Sequence, residues 1–592
     1  MSKPIEDYAL IGDCHTAALI AKDGTIDWLC LPHFDSGACF AALIGTAENG
    51  YWSMRPSGQI RTTKRQYRGD TLILETEFQT DAGTVVLTDC MIQRDGQPEL
   101  VRVVEGKRGQ VEMKMELVLR FDYGSVVPWV RRSERGITAI AGPDMVSLRT
   151  GVPLRGENFK TMTEFTVSEG QQVAFDLTWY PSNRDEPPPL AANEAIEETE
   201  NFWRKWSSQC LYKGDWRDAV MRSLITLKAL TFIPTGGIVA APTTSLPEAI
   251  GGVRNWDYRF CWVRDATLTL HALMDAGYLE EAGGWRRWLL RAIAGNPSEV
   301  NILYGLRGER RLTELELPWL AGYEGSKPVR TGNAAYQQFQ LDIFGEVFNT
   351  LYQYRKALSE PPADRHEGMA QALVEFLETA WKRPDDGIWE MRGPRRHFTH
   401  SKMMAWVAID RAIKSADMGW FAADIEKWKE LRVRIHKEVC EKGFDTELNS
   451  FVQFYGSKLF DASLLMMPLV GFLPADDPRV LGTVAAIEKQ LMSKEGFVAR
   501  YTTDPKVDGL PHGEAAFLAC TFWLADNYIL QGRREDAIRT FELLLNIRND
   551  VGLLAEEYDP DAKRLLGNFP QAFSHIGLVN TAMNFNRKFG EK

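Results

Sequence analysis

Pro187, Pro188 and Pro189 stand in a row about a third of the way along the chain. None of them can donate a backbone hydrogen bond, and each ring disfavours a helical conformation in the residue before it. No helix or inner strand can run through such a triplet, so the architecture has to change here. The hydrophobic period changes at the same place. A chain of 592 residues is also too long for one ordinary core.

Before the prolines, apolar and polar residues alternate with period two. "HTAALIAKDGTIDWLCLP" does so around Asp23-Gly24, a hairpin turn pair. "TLILETEFQTDAGTVVLTDCMI" repeats the pattern around "DAG". "LVRVVEGKRGQVEMKMELVLRFDY" alternates on both sides of "GKRG", and "QQVAFDLTWYP" closes the series. Many strands joined by short turns predict an antiparallel β-sandwich over 1–185. The acidic, Ala-rich stretch after the prolines predicts a linker with a helix over 186–214.

Over 215–592 the period becomes helical. Helices are expected near 216–233, 264–277, 279–295, 333–358, 366–382, 400–416, 418–441, 459–469, 478–492, 513–531, 533–547 and 571–588. Twelve helices suit a toroid of six helical hairpins, an (α/α)6 barrel. In such a barrel the loops at one end converge on a cavity.

Composition excludes some classes of function. A net charge of −11 argues against broad nucleic-acid binding, which needs a basic surface. The longest apolar runs, near 463–473 and 515–525, are shorter than the ~18–20 residues of a membrane span. No basic stretch followed by an apolar core opens the chain. The eight cysteines form no CxxC pair and mostly sit in apolar runs, as buried thiols do in a reducing compartment. A cytoplasmic protein is expected. No phosphate loop, dinucleotide fingerprint, nucleophile elbow or zinc motif occurs, so no cofactor and no metal is expected. His397 and His400 have a ligand-like spacing but no evident third ligand. His575 is expected to be a packed, hydrogen-bonded histidine.

Five loop stretches are rich in Trp, Arg, Asp and Glu. Besides "DDGIWEMRG" and "KPVRTGNAAYQQFQLDIFGE", they include "NWDYRFCWVRDATLTLHAL", with Trp262, Arg264 and Asp265. "FVARYTTDPKVDGLPHGEAAF" carries Arg500, Asp504 and Glu514, and "LLAEEYDPDAKRLLGNFPQAF" carries Glu556 and Glu557. Singly, each has a plain structural reading: Asp265 as a helix cap, Glu514 as a helix-terminus charge, Glu314 and Glu316 in "TELEL" as solvated surface. Of the five, "DDGIWEMRG" holds Glu390 between Trp389 and Met391. A carboxylate is costly to desolvate there, unless a raised pKa is wanted. Sugar chemistry uses this inventory: fixed Arg and Asp for hydroxyls, aromatic faces for rings, and two carboxyl groups for the glycosidic bond.

The chain resembles glycoside hydrolase family 15, the glucoamylase-like enzymes, over nearly its whole length. Its N-terminal "DYALIGDCHTAALIAKDGTIDWLCLPHFDSGACFAALIG" is similar to the trehalase-like N-terminal domain of that family's prokaryotic branch. "WVRDA" resembles the segment whose Arg and Asp bind the terminal glucose, which implies that role for Arg264 and Asp265, with Trp262 beside them. "VARYTTD" implies another sugar-binding Arg, Arg500, followed by Asp504. "GIWEMRG" resembles the general-acid segment, implying Glu390 as proton donor with Trp389 lining the site. "AEEYD" resembles the general-base segment, and its register selects Glu556 over Glu557. Fungal members carry a second Glu directly after the acid; here that place is Met391.

The resemblance implies an inverting, exo-acting α-glucosidase that releases β-glucose from small α-glucosides such as trehalose, isomalto- or malto-oligosaccharides. A dedicated trehalase is one alternative. An inverting disaccharide phosphorylase, which has no need of Glu556, is another, and a non-catalytic carbohydrate-binding protein is a third. A small carbohydrate is the expected partner, with neither nucleic acid nor membrane, and a homo-oligomer is left open.

Overall fold

The computed structural model describes residues 3–94, 96–358, 367–420, 425–511 and 513–590. Fifteen strands lie before residue 182, all paired antiparallel apart from one isolated bridge. They form two sheets that share a single long strand, Glu99–Val118. The first half of this strand pairs with Gly83–Met91 and Gln172–Pro181, the second half with Tyr51–Pro56 and Lys160–Ser168. The "GKRG" stretch is therefore not a hairpin turn. It is where the strand passes from one sheet to the other. Gly106 is required by close approach, because a Cβ there would sit 2.2 Å from the Ser168 carbonyl oxygen. The Asp23-Gly24 and "DAG" turns do join antiparallel strands.

Helix α1 (Ala192–Ser207) follows the prolines. The helical part comprises α2 (Arg217–Ala229), α3 (Val263–Asp275), α4 (Leu279–Ala292), α5 (Asp342–Ala357), α6 (Glu367–Ala380), α7 (Thr399–Asp417) and α8 (Ile425–Lys442). It continues with α9 (Met466–Leu469), α10 (Pro478–Gln490), α11 (Pro505–Asp508), α12 (Leu518–Leu530), α13 (Arg534–Asn546) and α14 (Ala572–Phe589). Helix α3 packs on α5 and α5 on α7. The short α9, with the 3-10 turn before it, bridges towards α12; α12 packs on α14, and α14 returns to α3. That closes an inner ring of six. Helices α2, α4, α6, α8, α10 and α13 lie outside it, an (α/α)6 barrel.

Burial follows position in the ring. Every residue of α12 from Leu518 to Ile529 is buried, as befits a helix enclosed on all sides. Outer α8 buries only Trp428, Leu431, Ile435 and Val439, one stripe at three- and four-residue spacing. Each large side chain so buried contributes roughly 1.5–3 kcal/mol.

The expected helix over 333–358 begins only at Asp342. Asn333 caps a 3-10 turn, Ala334–Gln337, and the backbone N–H groups of Phe339 and Leu341 are held by Asp386 and Asp385 instead of by helical carbonyls. Likewise, α12 starts at Leu518, not 513, because Ala516–Phe517 pair as a strand with Glu557–Asp559. The expected span 418–441 crosses 421–424, which lie outside the described residues. Among the described residues, no helix is long and apolar enough to cross a membrane. All eight cysteines are unpaired, and six of them are buried.

Candidate active site

The start of α3 presents Arg264 and Asp265 in its first turn, both buried. Arg264 Nε donates to Asp265 Oδ1 at 3.1 Å, and its Nη1 donates to Glu390 Oε1 at 2.9 Å and to the Ile388 carbonyl oxygen. Its guanidinium lies 5.3 Å from the Phe573 ring centre. Trp262, one residue before the helix, is only 2% exposed and packs edge-on against Tyr258, behind the charged groups.

Glu390 sits in a tight turn that uses two left-handed residues, Gly387 (φ 72°) and Glu390 itself (φ 50°). A non-glycine residue in that region is strained by roughly 1–2 kcal/mol. The surroundings hold it there: Asp386 accepts from the Phe339 N–H, and Trp389 Nε1 donates to Asp461 at 2.9 Å. The Glu390 side chain keeps 20% of its surface open. Burial pushes its pKa up to about 7; Arg264 works against the rise, and Asp265 and Asp342 add to it. The apolar setting legible in "IWEM" therefore acts on the proton affinity of this carboxyl group.

Glu556 comes from the C-terminal part of the chain. It precedes the strand Glu557–Asp559, with its N–H on the Asn568 carbonyl oxygen. Oε2 accepts from the Asn568 N–H at 3.1 Å, while the buried Oε1 has no protein hydrogen-bond partner. Gly567 (φ 75°) makes room for this carboxylate, since a Cβ there would meet Oε2 at 2.5 Å. Burial, then the charge of Glu248, raises the Glu556 pKa, while Arg500 and the neighbouring Tyr258 side chain oppose the shift.

Glu557 points the opposite way, as the next residue of an extended segment does. It accepts from the Ala515 N–H and lies 3.3 Å from Arg500 Nη2. Arg500 also donates to Glu248 and Glu514, each at 2.7 Å. Ligand atoms of Glu248, Glu514 and Glu557 lie within 4.8 Å of one another, a spacing that could hold a cation. The guanidinium of Arg500 already supplies positive charge to all three.

The quoted segments thus bring Arg264, Asp265, Trp389, Glu390, Arg500 and Glu556 into linked surroundings. Asp504 is not among them: it is partly exposed and caps α11 through the Lys506 N–H. The buried carboxylate of that turn is Asp508, which pairs with Arg254 at 2.8 Å. His397 stacks on Tyr455, and His400 is enclosed at the head of α7 with its pKa held down to about 3 by burial. His575 is packed between Ser223 and the Leu554 N–H. Tyr258, Glu248 and Asn568 were missed by sequence reasoning. Tyr258 lies inside "NWDYRFCW" and could have been found there. Glu248, in "SLPEAIGG", has no local signal.

Behind Arg264 lie two more buried carboxyl groups. Neither oxygen of Asp342 has a hydrogen-bond partner, and burial followed by the charge of Asp385 pushes its pKa to about 7. Glu346, one turn on, is pushed to about 8 by burial and then by Asp342. The folded state therefore binds protons that the unfolded chain releases near pH 4, so the stability they contribute is full below that range and is lost as pH rises through 7 to 8. The melting temperature is expected to fall between about pH 5 and about pH 8. Asp342→Asn should remove part of the fall, up to roughly 4 kcal/mol at about 1.4 kcal/mol per pKa unit. A melting curve that rises over this interval would contradict the assignment.

A separate cavity of about 640 Å³ opens at the other end of the barrel, lined by residues including His271, Asp275, Arg411 and Asp526. Trp523 and Phe573 border it. The same two rings pack beside Trp389 and Arg264, so they separate the cavity from the site above.

Residues 214–583 match the family model for glycosyl hydrolases family 15, and residues 1–174 match the trehalase-like N-terminal model. The chain belongs to glycosyl hydrolase family 15. A trehalase from Thermoplasma volcanium is 36% identical over 586 residues, covering 98% of this chain and 93% of that protein. A trehalase from Mycobacterium tuberculosis is 35% identical over 618 residues, covering 99% and 90%. Among solved structures, a bacterial glucoamylase complexed with acarbose shares the fold with a TM-score of 0.73 at 12% identity, over 99% of this chain and 97% of that one. A putative kojibiose phosphorylase also shares it, with a TM-score of 0.55 at 11% identity over 100% and 87%. This family 15 member is a glycoside hydrolase, with the sheet domain and helical barrel that the sequence predicts.

Proposed function

We propose that the enzyme is an inverting, exo-acting α-glucosidase whose main substrate is trehalose. Glu390 gives its proton to the glycosidic oxygen as the bond to the anomeric carbon breaks. Glu556 takes a proton from the water that attacks that carbon from the opposite face. One water is consumed, and the two carboxyl groups recover their starting protonation through solvent. Arg264 and Asp265 bind hydroxyls of the glucosyl unit being transferred, with Trp389 and Arg500 as the wall and Trp262 as support behind it.

The observation that carries this reading is the pair of half-satisfied carboxyl groups. The pKa of Glu390 is raised towards neutrality and a fifth of its side chain is exposed, and Glu556 holds one buried oxygen without a protein partner. A donor and a water-activating base need those two environments. Trehalose is preferred among α-glucosides because the relatives named trehalase align along nearly the whole chain. Fold likeness does not separate a hydrolase from a phosphorylase. Glu556 favours the hydrolase, because phosphate takes the place of the base in a phosphorylase, which has no need of this buried, half-satisfied carboxyl group.

The test is glucose release from trehalose, maltose, isomaltose, kojibiose, nigerose and dextran in phosphate-free buffer. Trehalose is expected to give the largest kcat/KM and dextran the smallest. Glucose release that requires phosphate, with a sugar phosphate as co-product, would replace the hydrolase by a phosphorylase.

A further inference from the structure

We propose that Arg392, Glu314 and Arg330, supported by Trp256, form the subsite that binds the second, leaving-group sugar. This rests on the α-glucosidase reading above. The residue directly after Glu390 offers nothing to a sugar: Met391 is apolar and 3% exposed. The next one does. The Arg392 backbone N–H is pinned to the Asp508 carbonyl oxygen at 2.9 Å, and its side chain is 26% exposed. Its Nη2 donates to Glu314 Oε2 at 3.2 Å. Arg330 lies on the same carboxylate, Nε to Oε1 at 3.6 Å, and this Nε has no hydrogen-bond partner.

The two guanidinium groups lie 4.5 and 4.8 Å from the centre of the Trp256 ring. The indole is thus covered by cations, and its part is to hold the two forks in place. The Trp256 N–H donates to Glu248, and its carbonyl oxygen accepts from Asn568, whose own N–H binds Glu556. The group therefore stands between the loop of Glu390 and the loop of Glu556. Glu314, Arg330 and Arg392 have side chains 12–26% open, whereas Glu248 and Arg500 below are at 2% and 6%. Arg330 Nη1 is held by the Val253 and Asn255 carbonyl oxygens. At the mouth of the site Arg392 therefore supplies most of the donors and Glu314 the acceptor, which suits the hydroxyls of a second sugar.

The experiment compares kcat/KM for trehalose with kcat/KM for α-glucosyl fluoride, whose leaving group has no sugar to bind. The proteins are the wild type, Arg392→Ala, Arg392→Lys and Glu314→Gln, each first shown to melt cooperatively. For Arg392→Ala the trehalose-to-fluoride ratio is expected to fall about 10- to 100-fold, the range for a lost charge-assisted hydrogen bond. Lysine should restore only part of it, since it lacks the planar fork. A ratio within about twofold of the wild type in all three variants overturns the subsite. If the wild type cleaves the fluoride but not trehalose, the trehalose assignment fails separately. The subsite is then judged by the same ratio with the α-glucosyl disaccharide that is cleaved.

Discussion

Glu390→Gln is expected to lower turnover of trehalose by about 10²–10⁴-fold while the fold and glucose binding survive. The amide keeps the shape of the side chain and can still meet Arg264 through its oxygen, which now accepts the 2.9 Å bond from Nη1. What it loses is the acidic proton. In trehalose the departing group is a sugar alkoxide, a poor leaving group that needs that proton. Fluoride needs it far less, so hydrolysis of α-glucosyl fluoride should fall by a much smaller factor. The pH profile gives a second reading of the same group. With the Glu390 pKa at about 7, wild-type kcat/KM on trehalose should decline as pH rises through that value, because the carboxyl must be protonated to act. The glutamine variant should lose this limb. Equal losses on both substrates would remove Glu390 from the role of acid.

Glu556→Ala is expected to lose a similar 10²–10⁴-fold on every substrate, the fluoride included, since the attacking water has no other base. The cavity left by the side chain admits a small anion, so azide should restore turnover of α-glucosyl fluoride and yield β-glucosyl azide. Glu557→Gln separates the neighbours. Its carboxylate faces Arg500 and the Ala515 N–H, so the amide should weaken sugar binding more than it slows chemistry. Azide rescue of a Glu557 variant, with none for Glu556→Ala, would exchange the two assignments.

The helical ring was readable because each helix carries its own apolar stripe and stops at a local signal. The misplaced start at 333 shows the limit. Asp385 and Asp386 override the helix there, from a segment more than 40 residues on, and nothing between 333 and 341 announces them. The strand through "GKRG" has the same origin, since glycine signals a turn or a crossing equally well until the partner strands are known. In the site, Arg264, Asp265 and Glu390 were readable because they stand in compact segments beside aromatic residues. Asn568, Glu248 and Asp342 act through partners hundreds of residues away or on another helix, and single-sequence pattern carries no trace of such pairings. Asp504 and Asp508 illustrate the finer failure: both occupy one turn, and only packing against Arg254 distinguishes the buried one.

The central claim is single displacement by Glu390 and Glu556, and the anomeric form of the first product tests it most directly. In trehalose both glucose units are α-linked through one oxygen. Inversion at one carbon, with the other unit leaving intact, produces one β-glucose and one α-glucose per bond cleaved. Proton NMR recorded within the first minutes, before mutarotation, should therefore show the two anomers appearing at equal initial rates. Initial release of α-glucose alone would mean retention through a covalent intermediate, and would contradict the account.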